Sequence, residues 1–190
     1  MYTAKTFSIP KLDGISQESI DLHLGLYAGY VKHVNLIREQ MLNTDEENGY
    51  ARAEMQRRLG FEFGGMKNHE YYFAQFEGGH KELPDGDCKS MIEDEWESVE
   101  NFVEQMKGIA TTRGVGWAMC YIDRAEKKLV TAWIDEQHLG QLADVDIMLA
   151  IDMWEHSYLM DYTPSEKKEH VDAFRRQEKG ARILLKKVSD

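Results

Sequence analysis

The chain is poor in cysteine and proline, and it contains no long apolar run. Its 190 residues include 2 cysteines, Cys88 and Cys120, which lie far apart and outside any Cys-x-x-Cys motif. This spacing argues against a disulfide framework and against a thiolate zinc site, so we expect two reduced thiols. No stretch approaches the run of about 20 apolar residues that a membrane span requires, and the first residues lack the apolar core of a signal peptide. We therefore expect a soluble, cytoplasmic protein.

Positive charge is also scarce. The 23 basic residues are outnumbered by 34 acidic residues, and the formal net charge of -11 is spread over many small clusters. Such a charge disfavours nucleic acid and anionic membranes as partners. It would also repel an anionic substrate, so an enzyme for such a substrate would need a local basic patch at its entrance. Lys32 and Lys67 are candidates for that patch.

Two amphipathic helices are predicted in the first half of the chain. Ser16 can cap the first helix, whose inner stripe has steps of three and four residues and consists of Ile20, His23, Tyr27, Tyr30, Val34, Ile37 and Met41. After a polar turn over 43–49, a second helical pattern runs through Leu59, Phe63, Met66, His69, Phe73 and Phe76. We expect the two helices to form an antiparallel hairpin.

The second half predicts helices around a short sheet. Residues 91–110 have a helical pattern, and 117–122 and 129–134 are short aromatic and β-branched runs separated by a charged turn, which is typical of an antiparallel hairpin. A third strand is predicted at 147–153. A charged helix is predicted over 165–187, with Val171, Phe174 and Ile183 as its apolar anchors.

Helices followed by a short sheet indicate an α+β protein. The segment 77–87 holds three glycines and one of only 3 prolines, which marks a connection between lobes. We therefore predict an N-terminal helical hairpin domain over 1–86 and a C-terminal α/β domain over 87–190 with a three-stranded antiparallel sheet.

Four side chains are candidate metal ligands. His23 and His69 lie on the apolar faces of the two predicted helices, and Asp152 and His156 follow the third strand. Each histidine alone could be a core residue, and Asp152 and His156 could simply cap a turn and bond each other. Together they offer three imidazoles and one carboxylate, a set suited to a first-row metal with a coordination position left open.

Four stretches of the chain resemble the hallmark blocks of iron/manganese superoxide dismutases, in family order and at about family spacing. They are LHLGLYAGYVKHVN at 22–35, NHEYYF at 68–73, GVGW at 114–117 and IDMWEHSYLMDY at 151–162. The last block contains the signature D-x-W-E-H-x-Y as Asp152, Trp154, Glu155, His156 and Tyr158. The resemblance implies conversion of superoxide to dioxygen and hydrogen peroxide by one Fe or Mn ion per subunit.

The resemblance also implies roles for individual residues. His23, His69, Asp152 and His156 match the metal ligands, and Tyr30 matches the gateway tyrosine of the substrate channel. Aromatic residues enclosing the metal are matched by Trp117, Trp154 and Tyr72. Glu155 matches the carboxylate that crosses a dimer interface to the partner's copy of the ligand histidine, and a tyrosine like Tyr158 takes part in the same interface. A homodimer, or a tetramer of dimers, is therefore implied.

Several positions depart from the family pattern. A histidine usually follows the first ligand by four residues and the gateway tyrosine by eight, whereas Tyr27 holds the first place here and Tyr30 comes one residue early. This implies a deletion in the first helix and a changed interface hydrogen bond. Phe73 stands where tryptophan is usual, and the C-terminal end, ARILLKKVSD, lacks the usual aromatic and asparagine pattern.

The metal and the residue that hydrogen-bonds to its solvent ligand stay open. Gly65, four residues before His69, resembles the manganese pattern, in which a glutamine comes instead from the loop after the second strand. That loop offers Gln137 and His138. We favour His138, because an imidazole reaches as far as a glutamine amide and can donate or accept, with Gln137 as the alternative.

Two other classes of protein compete with this interpretation. A helical di-iron carboxylate protein needs two Glu-x-x-His motifs on helices, but the one such string found here lies at 77–80 in a glycine-rich segment. A non-catalytic binding protein could have kept the same fold, although the intact ligand set argues against it.

Overall fold

The computed structural model of the protein describes residues 1–45, 47–79 and 86–177. The first half contains two long helices, α1 over Gln17–Asn43 and α2 over Gly49–Ala74, which pack against each other as the predicted hairpin. Ser16 caps α1 as predicted, because its side chain accepts a hydrogen bond from the backbone N–H of Ser19. The buried face of α1 brings His23 and Tyr27 against α2, while Tyr30 is half-buried.

The predicted helix over 91–110 is two helices, α3 over Asp87–Trp96 and α4 over Val99–Ala110. Glu97 ends α3 in a left-handed conformation with φ of 66°, and the Ser98 side chain then caps α4 by accepting from the N–H of Asn101. A left-handed residue cannot continue a right-handed helix, so the apolar pattern runs through both helices while the backbone does not.

The sheet has three antiparallel strands in the order β2-β1-β3, as predicted. The strands are β1 over Gly116–Asp123, β2 over Lys128–Asp135 and β3 over Asp146–Asp152. The central strand β1 is buried almost throughout, and its Trp117 lies opposite Ile134 on one side and Asp152 on the other. Helix α5 over Lys167–Gln177 covers part of the core through Val171 and Phe174.

One contiguous apolar core joins residues of both halves, including Tyr27, Phe73, Trp117 and Phe174. Cys88 and Cys120 are both buried free thiols, and burial raises the pKa of each. No described helix combines the length and the apolar character needed to cross a membrane. The middle of the predicted connection (80–85) and the predicted helix beyond 177, including Ile183, lie outside the described residues.

Candidate metal centre

The four candidate ligands converge on one point, although they come from distant parts of the chain. His23 comes from α1, His69 from α2, Asp152 from the end of β3 and His156 from a short 3₁₀ turn over Glu155–Ser157. One potential donor atom from each lies within 4.8 Å of the others. The Nε2 atoms of the three histidines lie 3.1, 3.5 and 3.2 Å from Oδ2 of Asp152.

Hydrogen bonds fix the orientation of Asp152. Its Oδ1 accepts from the backbone N–H of Trp154 at 2.8 Å, which leaves Oδ2 to face the histidines. The hydroxyl of Ser157 donates to the backbone carbonyls of Asp152 at 2.9 Å and Trp154 at 2.7 Å. These bonds hold the turn after β3 so that Asp152 and His156, four residues apart, reach the same point.

The tautomer of His69 follows from its backbone contact. Its Nδ1 lies 2.6 Å from the carbonyl oxygen of Gly65, which can only accept, so Nδ1 carries the proton. Its Nε2 is therefore unprotonated and carries a free lone pair; it is buried and has no hydrogen-bond partner among the described residues. A neutral imidazole with a bare nitrogen is the form in which histidine binds metal.

Burial and mutual interactions set the charges of this group. Burial lowers the pKa of His69 to about 3 and also lowers that of His23, so both are neutral at neutral pH. Burial alone would raise the pKa of Asp152, but the interactions and hydrogen bonds with His156 and His23 outweigh it and leave the pKa well below its usual range. Three imidazoles around one buried carboxylate fit a divalent or trivalent Fe or Mn ion.

Aromatic rings enclose the group on most sides. The ring centroid of His69 lies 5.1 Å from that of Trp117, and the centroid of His23 lies 5.0 Å from that of Tyr72. Trp154 stacks on His156 at 5.7 Å. His23, His69 and Asp152 are fully buried, whereas the side chain of His156 is 21% exposed, so solvent reaches the group from the His156 side.

A chain of hydrogen bonds connects Trp117, Gln137 and Tyr30 beside His69. The indole Nε1 of Trp117 donates to Oε1 of Gln137 at 3.0 Å, and Nε2 of Gln137 donates to the hydroxyl of Tyr30 at 3.0 Å. The Tyr30 ring also lies 5.0 Å from the His69 ring, between centroids. Gln137 is fully buried, and the indole donor fixes its amide with the NH₂ group toward Tyr30.

His138 lies apart from this chain of hydrogen bonds, contrary to the preference stated for it above. Its ring packs edge-on against Phe61 at 5.9 Å, and its Nδ1 has no hydrogen-bond partner among the described residues. Gln137 points inward instead. Glu136 adopts φ of 51° just before it, and the Asn68 side chain donates to the Gln137 carbonyl at 3.0 Å.

The remaining candidates lie around the turn after β3. Trp154 Nε1 donates to the carbonyl of Glu136 at 3.1 Å, Glu155 is exposed, and Tyr158 is buried against the ring of His170 at 5.5 Å. Tyr27, which replaces the usual histidine, accepts a hydrogen bond from the N–H of Lys5 at 2.9 Å. Its hydroxyl therefore faces the N-terminal segment.

Two residues near the site were not predicted from the sequence. Phe61 packs against Tyr30 and Trp154, with centroids 6.1 and 6.2 Å away. Gln75 bonds β3 close to Asp152 through its side-chain amide. Phe61 lies eight residues before His69, a spacing that places both on about the same side of one helix, and this spacing could have indicated that Phe61 is near the site. The sequence around Gln75, which directly follows α2, gives no comparable indication.

Comparison with known proteins gives consistent relatives. A family model described as iron/manganese superoxide dismutases, C-terminal domain, matches residues 84–177. The iron superoxide dismutase of Cupriavidus metallidurans is 33% identical over 175 residues, covering 86% of this chain and 84% of that protein. That of Tetrahymena pyriformis is 30% identical over 156 residues, covering 78% and 80%.

A mitochondrial manganese superoxide dismutase of Glossina morsitans morsitans is 27% identical over 150 residues, covering 77% of this chain and 69% of that protein. The relatives therefore include proteins named for iron and for manganese. The matched regions span both lobes, and the family model covers the lobe that supplies Asp152 and His156. The chain belongs to the iron/manganese superoxide dismutase family.

Proposed function

We propose that this protein is a superoxide dismutase that uses one Fe or Mn ion held by His23, His69, Asp152 and His156. The observation that carries the proposal is the convergence of these four side chains in a buried, aromatic-walled site with one partly exposed member. Two superoxide anions and two protons give dioxygen and hydrogen peroxide. The bound ion would supply the redox chemistry, accepting an electron from one superoxide and returning it to the next.

The protein's own side chains hold and orient the reacting groups. Burial raises the pKa of Tyr30, so its hydroxyl stays protonated at neutral pH. Because that oxygen accepts from Gln137, the Tyr30 proton can point into the site. Trp117 holds the Gln137 amide in this orientation. We propose that Tyr30 and Gln137 position the protons that the peroxide product needs, with Gln137 taking the place first assigned to His138.

The test is turnover after metal reconstitution, with Gln137→Leu and His138→Leu as a matched pair. The Gln137 variant should keep its metal but lose about 10- to 100-fold in activity, as is typical when a residue that orients a metal site is removed. The His138 variant should stay close to wild type. Loss of activity in the His138 variant alone would reverse the assignment.

We propose manganese as the ion that gives the higher activity. The support is the combination of Gly65 with a glutamine from the loop after β2, which is the pattern given above for manganese. Loading metal-free protein with each ion separately, followed by metal analysis and turnover, tests this. Higher turnover with iron would contradict it. Stoichiometric metal without turnover would instead support a non-catalytic binding protein.

We also propose a homodimer whose interface includes the turn after β3 and the outer face of α1. Exposed apolar side chains support this surface, namely Leu22, Leu26, Leu159 and Met160. Glu155 is exposed beside His156, as a carboxylate reaching a partner's histidine would be. Sedimentation of the wild type and of Glu155→Ala tests the proposal. A wild-type monomer would contradict it, and the variant should dissociate more readily.

A further inference from the structure

An ion pair on α2 has its two charges in different environments. Arg58 Nε and Nη2 both approach Oε1 of Glu62, at 2.8 and 2.7 Å. The Glu62 side chain is only 5% exposed, whereas that of Arg58 is 48% exposed. The positive member therefore faces solvent, held in one orientation by a buried carboxylate.

This pair lies at the rim of the metal centre. The guanidinium carbon of Arg58 is 4.0 Å from the centroid of the Phe61 ring. Phe61 in turn contacts Tyr30, Trp154 and His138, with centroids 6.1, 6.2 and 5.9 Å away. Trp154 stacks on His156, which is the ligand that solvent reaches. The guanidinium thus lies on the outer side of Phe61, and Trp154 lies between that ring and His156.

An exposed cation at this place makes the local potential more positive than the net charge of the whole protein would. A net charge of -11 repels superoxide at long range. Charges within about 8 Å of the path dominate at physiological ionic strength, because salt screens more distant ones. Lys67, a candidate from the sequence, instead bonds Glu70 at 3.1 Å beside the ring of Tyr2, and Lys5 shares that carboxylate. Lys67 therefore lies on another part of the surface, beside the N-terminal segment.

We propose that Arg58 is the guiding cation of this site, drawing superoxide and other small anions to the rim, and that Glu62 holds its guanidinium in place. The inference rests on the proposed dismutase function for its substrate. It assigns to Arg58 no contact with the metal and no part in the redox step. Its effect should appear in the rate of anion capture and in the dependence of that rate on salt.

The experiment compares Arg58→Gln, Arg58→Lys and Arg57→Gln in metal-loaded protein. Arg57 is the next residue on the same helix, is 65% exposed and pairs with Glu54, so it gives the same change in net charge away from the rim aromatic residues. kcat/KM for superoxide is measured against ionic strength. The association rate of azide, followed by the absorption spectrum of the bound metal, provides a readout that is independent of turnover.

At low salt, Arg58→Gln should lower both rates about two- to threefold, the effect of removing one exposed positive charge near the rim. The difference should vanish at high salt. Arg58→Lys should restore most of the rate, and Arg57→Gln should have little effect. Equal losses in the Arg57 and Arg58 variants would attribute the effect to net charge and overturn the proposal, as would salt-independent loss.

The two readouts separate this inference from the proposed function. If azide association depends on Arg58 as expected but the wild type does not dismutate superoxide, the guiding role stands and the dismutase proposal fails. If the wild type turns over superoxide and neither rate responds to Arg58, the guiding role fails alone.

Discussion

Two adjacent glycines on α2 let other parts of the chain approach the metal centre closely. A Cβ atom on Gly64 would overlap the backbone carbonyl of Gln137, and one on Gly65 would lie 2.5 Å from Cδ1 of Tyr30. Gly64 therefore admits the loop that carries Gln137, and Gly65 admits the ring of Tyr30. The Tyr30 ring occupies the space that a side chain at position 65 would take, and Gln137 donates a hydrogen bond to the hydroxyl of that ring.

Replacing Gly65 with alanine tests this close approach. The added methyl group must displace the Tyr30 ring, because contacts near 2.5 Å are far inside van der Waals distance. We expect a loss of about 1 to 3 kcal/mol in the free energy of unfolding, together with lower turnover as the bond to Gln137 weakens. Urea unfolding and turnover of the reconstituted variant are the measurements.

Gly108→Ala is the matched control, since Gly108 is also a helical glycine but nothing lies within 4 Å of a Cβ built there. This change should stabilise the protein by about 0.5 to 1 kcal/mol through helix propensity alone. If Gly65→Ala stabilised the protein to the same degree, the steric role of Gly65 would be wrong.

The residues of the site differ in how far the sequence could predict them. The four metal-site candidates were found through their motifs, and the structure brings them together. His138 was favoured over Gln137, whereas the structure turns Gln137 inward, because adjacent side chains in a loop point in directions set by backbone torsions such as the positive φ of Glu136. Nothing in the residue type of Glu136 indicates that torsion, since glutamate is not enriched in the left-handed region.

At the scale of elements, one side chain joins α2 to the edge of the sheet. Nε2 of Gln75 donates to the carbonyl of Ala150 at 2.8 Å, and the N–H of Ala150 donates to Oε1 of Gln75 at 2.8 Å. Ala150 lies on β3, an edge strand, two residues before Asp152. The amide therefore pairs with β3 as a neighbouring strand would, and links the helix that carries His69 to the strand that carries Asp152.

Replacing Gln75 with alanine should leave a buried N–H and a buried C=O without partners. Each such group costs about 1 to 3 kcal/mol, so we expect a total loss of about 2 to 6 kcal/mol in the free energy of unfolding. We also expect faster loss of metal to a chelator. Gln56→Ala, on the exposed side of the same helix, should change neither. Reduced stability with an unchanged rate of metal loss would limit Gln75 to a stabilising role.

The elements themselves were largely predictable. Each predicted strand agrees with the observed one to within about a residue at each end, because short aromatic and β-branched runs bounded by charged turns leave few alternatives. The break between α3 and α4 was missed because the apolar period continues across it. Ser98, the cap of α4, was the available signal, whereas the left-handed Glu97 carries none.

For the whole molecule, function requires contacts that local patterns cannot specify. His23 and Asp152 are separated by 129 positions, yet their side chains lie 3.1 Å apart. Periodicity showed that His23 faces inward, but the distance between α1 and β3 depends on the packing of the shared core, including Tyr72, Phe73 and Phe174. The proposed boundary near residue 86 stays a prediction, and the core residues of the two halves pack together around the site.

Folding buries three histidines and lowers their pKa values, so the free energy of unfolding depends on pH. Burial lowers the pKa of His69 to about 3 and that of His170 to about 4, from an ordinary value of 6.5, and it also lowers that of His23. At pH values between the lowered pKa of the folded protein and the ordinary value of 6.5, these histidines bind protons in the unfolded chain but not in the folded one. Acid therefore favours unfolding, so the stability that these three histidines contribute is fully present above about pH 6.5 and falls as the pH is lowered.

We expect the free energy of unfolding of the metal-free protein to fall by up to about 1.4 kcal/mol per pH unit for each of these histidines below about pH 6. His170, packed between Tyr158 and Tyr162 at 5.5 and 5.7 Å, can be tested separately. His170→Gln should reduce the slope between about pH 6 and 4.5 by one histidine's share, whatever it does to absolute stability. The measurement is urea unfolding at a series of pH values; a slope unaltered by His170→Gln would show that His170 titrates alike in the folded and unfolded protein.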